Sequence, residues 1–177
     1  MYPQRGDCFI VKQTAGGQLV WLRHIGGHGS IQVKAVATDA QNNFYITGLF
    51  SDTADFNPTS NNFDLISTDP QGDIFVAKYD NWGNFIWAKG IGGAGVDYAS
   101  SILIGRDSNV FIAGSFQGSV DFDPGVGVQQ IGGNGLQDAF VLKLGLAGDF
   151  KSVSTFGGVG SDFCTDLKSD NQGHLLV

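Results

Sequence analysis

The chain has 177 residues, of which 42 % are hydrophobic and only 15 % charged, so it has enough apolar material for a folded core and lacks the signature of disorder. Its net charge of −7 argues against non-specific binding to nucleic acid or to an anionic membrane, because both need a basic surface. Two cysteines, Cys8 and Cys164, are too few for a disulfide framework, and neither belongs to a metal-binding pattern.

Short apolar runs separated by polar or glycine-bearing turns follow one another along the whole chain, and this pattern is typical of strands. The first copy of the pattern predicts strands over 6–14, 18–25, 33–38 and 44–50, then an extended insert at 53–58 and a weaker strand over 62–67. The second copy predicts strands over 73–79, 84–91, 98–104 and 110–116, and the third over 138–144, 149–156, 163–168 and from His174 onward. No helical periodicity interrupts them, so the chain is predicted to be all-β.

The pattern is an internal repeat with a step of about 65 residues. Several residue types keep this step: Asp7, Asp73 and Asp138; Phe9, Phe75 and Phe140; Lys12, Lys78 and Lys143; and the Gly-Gly pairs that begin at Gly26, Gly92 and Gly157. Four short strands joined by tight turns and then repeated are typical of β-propeller blades. The strand interiors are nearly continuous apolar runs, as expected when both faces of each sheet are covered by neighbouring blades.

A composite motif runs through the first two copies and in part through the third: Asp-x-Phe-[Ile/Val]-x-Lys, a turn, Gly-x-[Phe/Leu]-[Ile/Val]-Trp, Gly-Gly and Asn-[Phe/Val]-[Tyr/Phe]-Ile-x-Gly. This motif resembles the SBBP-type β-propeller repeat of bacterial proteins over essentially the whole chain. The Asp-Phe-Asp-Pro-Gly insert at 121–125 resembles the variant found in large secreted or surface proteins of Bacteroidetes-like bacteria. The third copy departs from the motif, because Ser152 stands where the other copies have Trp21 and Trp87, and its outer strand is expected to pack more loosely.

The resemblance implies that the strands starting near Val33 and Tyr98 are innermost in their blades. Residues 1–177 are then a single propeller domain of about three blade-equivalents that starts and ends mid-blade. The repeats are a half blade over 6–32, blades over 33–97 and 98–162, and a half blade over 163–177. Because rings close with four to eight blades, two explanations stay open. The chain is a fragment of a longer repeat protein, or its half blades complement each other or another copy.

The insert supplies the candidate metal site. Residues two apart on an extended segment face the same way, so Asp121 and Asp123 could present oxygens to one Ca²⁺, and Asp55 is the counterpart of Asp121 in the first copy. The alternative is that each Asx side chain caps its own turn before a proline while Phe56 and Phe122 cover the blade edge. Calcium is the one candidate cofactor.

The remaining polar residues do not form a recognisable site. The recurring aspartates and lysines are expected to be structural, because a catalytic residue is needed once per active site rather than once per blade. His24, His28 and His174 have no metal-like spacing. Trp82 lies in a turn and is the best candidate for stacking on a sugar, although core or edge packing is the ordinary role of tryptophan.

These observations favour a non-catalytic extracellular or cell-surface repeat protein that acts as a structural scaffold or as an interaction and self-assembly module. Its partners would be proteins or further copies bound through blade edges, with no nucleic acid and no membrane insertion. The alternatives are a propeller that binds glycan or Ca²⁺ and, third, a propeller-type glycosidase with paired carboxylates at the axis. Residues 1–6 do not resemble a secretion signal, so an export signal is not expected within this chain.

Overall fold

The computed structural model describes residues 6–177, and this range contains sixteen strands and no helix, hence no helix that could cross a membrane. The expectation about a secretion signal falls on residues 1–6 and lies almost entirely outside this range. The strands are β1 (Cys8–Gln13), β2 (Leu19–Gly27), β3 (Ile31–Thr38), β4 (Phe44–Phe50), β5 (Thr53–Asp55), β6 (Asp64–Ile66), β7 (Asp73–Tyr79), β8 (Phe85–Gly93), β9 (Tyr98–Ile104), β10 (Asn109–Phe116), β11 (Ser119–Asp121), β12 (Gln130–Gly132), β13 (Asp138–Gly145), β14 (Phe150–Phe156), β15 (Lys168–Ser169) and β16 (Leu175–Leu176).

The strands pair antiparallel in units of four. One complete sheet has the order β9-β10-β13-β14, and the sheet before it has β3-β4-β7-β8 as its first four strands. β1 and β2 form a hairpin in an earlier sheet, and β15 and β16 form a short hairpin at the other end. This is an all-β repeat of four-stranded units, as predicted, and it is compatible with a propeller-like fold of packed blades.

The two inserts extend the sheets in a way that the sequence analysis did not predict. Each insert folds into a hairpin, β5-β6 or β11-β12, and each hairpin adds to the outer strand of the preceding sheet. Gly26 of β2 lies opposite Asp55, and Gly92 of β8 lies opposite Asp121. The insert of one repeat therefore ties that repeat to the sheet before it by backbone hydrogen bonds.

The prediction of a strand over 163–168 is wrong, because only Lys168 and Ser169 form a ladder there. In the complete sheet, Tyr98 and Ala99 at the start of β9 pair with Ser115 and Gly114. Within residues 6–177 the equivalent stretch 163–167 forms no such ladder, and its backbone instead bonds to side chains of β9: Ser100 Oγ donates to the Cys164 carbonyl oxygen, and the Leu167 N–H donates to Ser101 Oγ.

Apolar cores lie between neighbouring sheets. β9 packs against β3 and β4, and two of the repeated phenylalanines, Phe75 and Phe140, are fully buried in equivalent clusters. Phe9 has the same place in the repeat, yet 61 % of its surface is exposed. In residues 6–177, β1 pairs with β2 alone, so nothing covers Phe9 from the side where β4 covers Phe75.

Outer strand β14, which carries Ser152 in place of tryptophan, has no fully buried residue, whereas its counterpart β8 has two. In residues 6–177, β14 also lacks the insert hairpin that pairs with β8, so looser packing caused by Ser152 stays a prediction.

Candidate functional site

The Asp-Phe-Asx-Pro inserts form the same turn in both repeats. Asp55 Oδ1 accepts hydrogen bonds from the backbone N–H groups of Asn57 and Phe63, at 2.9 and 2.8 Å. Asp121 Oδ1 accepts the equivalent bonds from Asp123 and Gln129, at 3.1 and 2.7 Å. One carboxylate oxygen thus closes both ends of each loop, and this is the Asx-turn role that the sequence analysis set beside calcium binding.

A buried phenylalanine anchors each insert next to this turn. The ring of Phe56 lies 4.8 Å from that of Phe75, and the ring of Phe122 lies 5.1 Å from that of Phe140. Both insert phenylalanines are fully buried. The loop between the two hairpin strands is therefore held by an aromatic anchor and by a carboxylate at its base.

The candidate calcium ligands fall into two grooves rather than one. Asp121 and Asp123 share a groove of about 440 Å³ beside β8 that also exposes Lys89 and Phe63. Asp55 lines the equivalent groove of about 400 Å³ beside β2. Within residues 6–177, no group of three or more histidine, cysteine, aspartate or glutamate side chains is placed to hold a metal ion. Calcium at Asp121 and Asp123 stays a prediction, and it would need backbone or water oxygens to complete its six to eight ligands.

The Asp55 groove contains two histidines. His24 and His28 both line it, although their spacing in the sequence does not indicate a shared site. His24 Nε2 lies 3.0 Å from Asp7 Oδ2. The positions equivalent to His24 are Gly90 and Thr155, so this histidine is specific to the first repeat.

The recurring lysine and tryptophan clamp the hairpin turn of the next repeat. Lys12 Nζ and Trp21 Nε1 both donate to the carbonyl oxygen of Asn81, at 3.1 and 3.2 Å. Lys78 Nζ and Trp87 Nε1 donate in the same way to the carbonyl oxygen of Leu146, at 3.3 and 3.2 Å. In the third copy, Lys143 Nζ instead lies 2.7 Å from Asp107 Oδ2. Lys12 and Lys78, each with its tryptophan, therefore join neighbouring sheets, whereas Lys143 pairs within its own sheet. Their recurrence predicted a structural role but not this contact between sheets.

The aspartates that begin the third strand of each unit also have structural roles. Asp73 Oδ2 accepts a 2.7 Å bond from the Thr68 N–H, and Asp138 Oδ2 accepts one of the same length from the Asn134 N–H. A side chain at Gly92 would collide with the Asp73 carboxyl group. The recurring aspartate thus explains the first glycine of each pair, whereas a side chain at the second would meet the insert backbone at Gly27 and Gly93.

Asp97 is a buried acid that the sequence analysis did not single out. Its carboxylate accepts bonds from the N–H groups of Gly93 and Gln117, at 2.9 and 3.4 Å. Burial, together with the nearby carboxylates of Asp73 and Asp69, raises its pKa to about 7 despite those two bonds. The spacing Gly-Gly-x-Gly-x-Asp could have indicated this acid from the sequence, because it occurs at 92–97 and again at 157–162. At the second place, Asp162 Oδ2 accepts a 2.9 Å bond from the Gly158 N–H.

Trp82 is exposed, in contrast to the other two tryptophans. It lies at the tip of the turn that Lys12 and Trp21 hold, and 67 % of its surface is accessible. Arg23 Nη2 donates a 2.7 Å bond to the Trp82 carbonyl oxygen, so the backbone that carries the ring is fixed. Core packing, the ordinary role of tryptophan, does not apply to Trp82.

No protein-family model matches the chain. It is similar to an uncharacterized WD repeat-containing protein of Acanthamoeba polyphaga mimivirus, with 30 % identity over 132 residues. The match covers 64 % of this chain and 9 % of the viral protein, so the chain spans a small part of that relative. WD repeats build four-stranded propeller blades, and the similarity therefore points to a repeat protein of the β-propeller kind.

Proposed function

We propose that the chain is part of an SBBP-type β-propeller that acts as a non-catalytic scaffold for protein interactions at the cell surface or outside the cell. The SBBP assignment and the location follow from the motif resemblance. The repeat boundaries at 6–32, 33–97, 98–162 and 163–177 belong to the same proposal. The similarity to a WD repeat-containing protein supports the scaffold role, because repeated blades present many loops on one framework.

The observation that carries this proposal is that the two insert loops share one framework and differ at their tips. Both are anchored by the same aspartate and phenylalanine. The first tip, 59–62, reads Thr-Ser-Asn-Asn, whereas the second, 125–128, reads Gly-Val-Gly-Val and exposes both valines. A fixed base limits the conformational entropy lost on binding, and the differing tips supply specificity.

The test is cross-linking of the full-length protein in its own cells, followed by mass spectrometry of the bound proteins. Val126→Asp with Val128→Asp should reduce recovery of at least one partner by tenfold or more without changing the fold. The matched control is Thr59→Ala with Ser60→Ala in the equivalent loop. Antibody labelling of intact cells tests the location. Identical partner sets for all three proteins would contradict the interaction role of this loop.

A second candidate function is glycan binding through Trp82. The ring is exposed and its backbone is held by Arg23, so it presents a flat apolar surface of the kind that stacks on sugars. A glycan array probed with the wild-type chain and with Trp82→Ala tests this candidate. Signals that the substitution does not change would remove Trp82 from the site.

A further inference from the structure

The groove of about 440 Å³ beside β8 lies between the inserts of two successive repeats. Phe63, Leu65 and Ile66 of the first insert form one wall, and the second insert contributes the turn at 121–125. Phe63 is 38 % exposed, and its ring lies 4.8 Å from the ring of Phe85, which holds it in place. The groove therefore offers an apolar wall with a fixed aromatic ring next to a polar turn.

Three carboxylates line this groove, those of Asp73, Asp121 and Asp123. The Oδ1 atoms of Asp121 and Asp123 hold their turns, but their Oδ2 atoms accept no hydrogen bond from residues 6–177. Asp73 is only 3 % exposed, and its Oδ1 has no hydrogen-bond partner in the described chain. Within the same range, none of the three forms an ion pair, and Lys89, which also lines the groove, has its stem against Gly148 instead. The groove thus collects negative charge that the described residues leave without a cation.

The equivalent groove of the first repeat supplies a nitrogen to the corresponding carboxylate. His24 has the position of Gly90, and its Nε2 lies 3.0 Å from Oδ2 of Asp7, the counterpart of Asp73. A side chain at Gly90 would have Phe50 Cζ as its nearest neighbour, at an ordinary contact distance of 3.5 Å. The backbone therefore does not require glycine at this position, and its presence leaves space beside Asp73 that a ligand can enter.

We propose that this groove binds an arginine side chain of a partner protein, which supplies the nitrogen donors that His24 supplies in the first repeat. A guanidinium presents five N–H donors in a plane and pairs well with carboxylates. It also packs favourably on an aromatic ring such as that of Phe63. A single metal ion needs its ligands gathered around one point, and the three carboxylates are not placed in that way.

The inference rests on the proposed interaction role and names the chemistry that a partner must present. Gly125 lines the groove and also begins the 125–128 tip with its two exposed valines. One partner can therefore contact the tip and place an arginine in the groove. The net charge of −7 favours the approach of a basic partner surface.

An NMR titration of the ¹⁵N-labelled full chain with the peptide acetyl-Gly-Arg-Gly-amide tests the proposal. The amide signals of 88–92 and 121–125 should shift, with a dissociation constant of about 1 mM because one side chain makes few contacts. The control peptide has citrulline in place of arginine. Citrulline has nearly the same shape without the charge, so it should bind about tenfold more weakly. Equal binding of the two peptides would overturn the proposal.

The matched substitutions are Asp121→Asn with Asp123→Asn in this groove and Asp55→Asn in the equivalent groove. An asparagine keeps the acceptor oxygen of each turn and removes the charge, and the amide spectrum reports whether the fold is retained. The double variant should bind the arginine peptide about tenfold more weakly, whereas Asp55→Asn should leave the dissociation constant unchanged. A double variant that binds as tightly as the wild type would contradict the assignment of the groove.

Gly90→His tests the comparison between the two repeats. The imidazole should pair with Asp73 as His24 pairs with Asp7, and it should weaken binding of the arginine peptide about fivefold or more. Unchanged binding to this variant would show that the ligand does not occupy the space beside Asp73.

Two further outcomes separate this inference from its alternatives. If Ca²⁺ shifts the same amide signals and the arginine peptide does not, the groove is a calcium site and the inference is wrong. If the peptide fails to bind while cross-linking still recovers partners through the 125–128 loop, the inference is wrong and the proposed function is retained.

Discussion

At the scale of single residues, substitutions of the insert carboxylates distinguish a structural role from metal binding. Asp121 Oδ1 holds the backbone N–H groups of Asp123 and Gln129. An asparagine offers the same acceptor oxygen without the charge. At the next Asx position the first repeat has Asn57 where the second has Asp123, and each accepts a turn N–H, from Thr59 and Gly125, so an amide oxygen can act as such an acceptor.

We predict that Asp121→Ala lowers the free energy of unfolding by about 1–2 kcal/mol, because two partly buried turn amides lose their acceptor, and that Asp121→Asn lowers it by less than about 0.5 kcal/mol. Thermal unfolding with and without Ca²⁺ checks both roles. A concentration of about 5 mM is suitable, because it exceeds the dissociation constants of weak calcium-binding modules. If Ca²⁺ stabilises the wild type and Asp121→Asn abolishes that effect, the site binds calcium and the turn role alone is insufficient.

Asp97 should give the protein a pH dependence of its own. Its pKa of about 7 in the folded chain lies above the ordinary value, so folding takes up a proton between about pH 4 and pH 7. The contribution of this bound proton to folding stability is complete below about pH 4 and is lost as the pH rises through about 7. The free energy of unfolding should therefore fall over this range, by at most about 1.4 kcal/mol per pH unit for this one proton.

Urea unfolding of the wild type and of Asp97→Asn at each pH isolates this contribution, because the other carboxylates cancel in the difference. Asp162→Asn is the matched control, since Asp162 accepts the equivalent turn bond but lies partly exposed. A difference between wild type and Asp97→Asn that does not change from pH 4 to pH 8 would show that Asp97 is not the titrating group.

At the scale of elements, the tryptophan clamp decides how firmly one sheet holds the next. Replacing Trp87 by serine, the residue that the third repeat has at 152, removes the bond to the Leu146 carbonyl and the packing against Tyr45. We predict a loss of about 2–3 kcal/mol in urea unfolding, below the range for a fully buried tryptophan because Trp87 is only partly buried. Amide exchange in the 145–149 turn should rise as well.

Trp82→Ser is the control for this substitution, because the exposed ring at Trp82 makes no equivalent clamp and should cost less than about 0.5 kcal/mol. Similar losses for the two variants would mean that the clamp does not contribute to packing between sheets.

The strands of each four-stranded unit were predictable because their apolar runs and turns repeat. The runs around Phe75 and Phe140 are long enough to identify without knowing their neighbours. The pairing of β11 with β8 was not predictable, since a three-residue strand has little pattern and its partner lies in another repeat. The burial of Asp97 was hidden for a similar reason: it depends on which loops meet, and only a repeated spacing indicated it.

At the scale of the whole molecule, the repeat predicts that equivalent positions have equivalent surroundings wherever both neighbouring sheets are present. Phe75 and Phe140 meet this expectation, and each contacts an insert phenylalanine. Phe9 does not, because no counterpart of β4 lies beside β1 in residues 6–177.

The most direct test of the packed-repeat account is the free energy of unfolding of Phe9→Ala, Phe75→Ala and Phe140→Ala. It is measured in urea. We predict losses of about 3–5 kcal/mol at Phe75 and at Phe140, where the ring is fully buried, and less than about 1 kcal/mol at exposed Phe9. A loss below about 1 kcal/mol at Phe75 or Phe140 would contradict the account, because these strands would then not be packed between sheets.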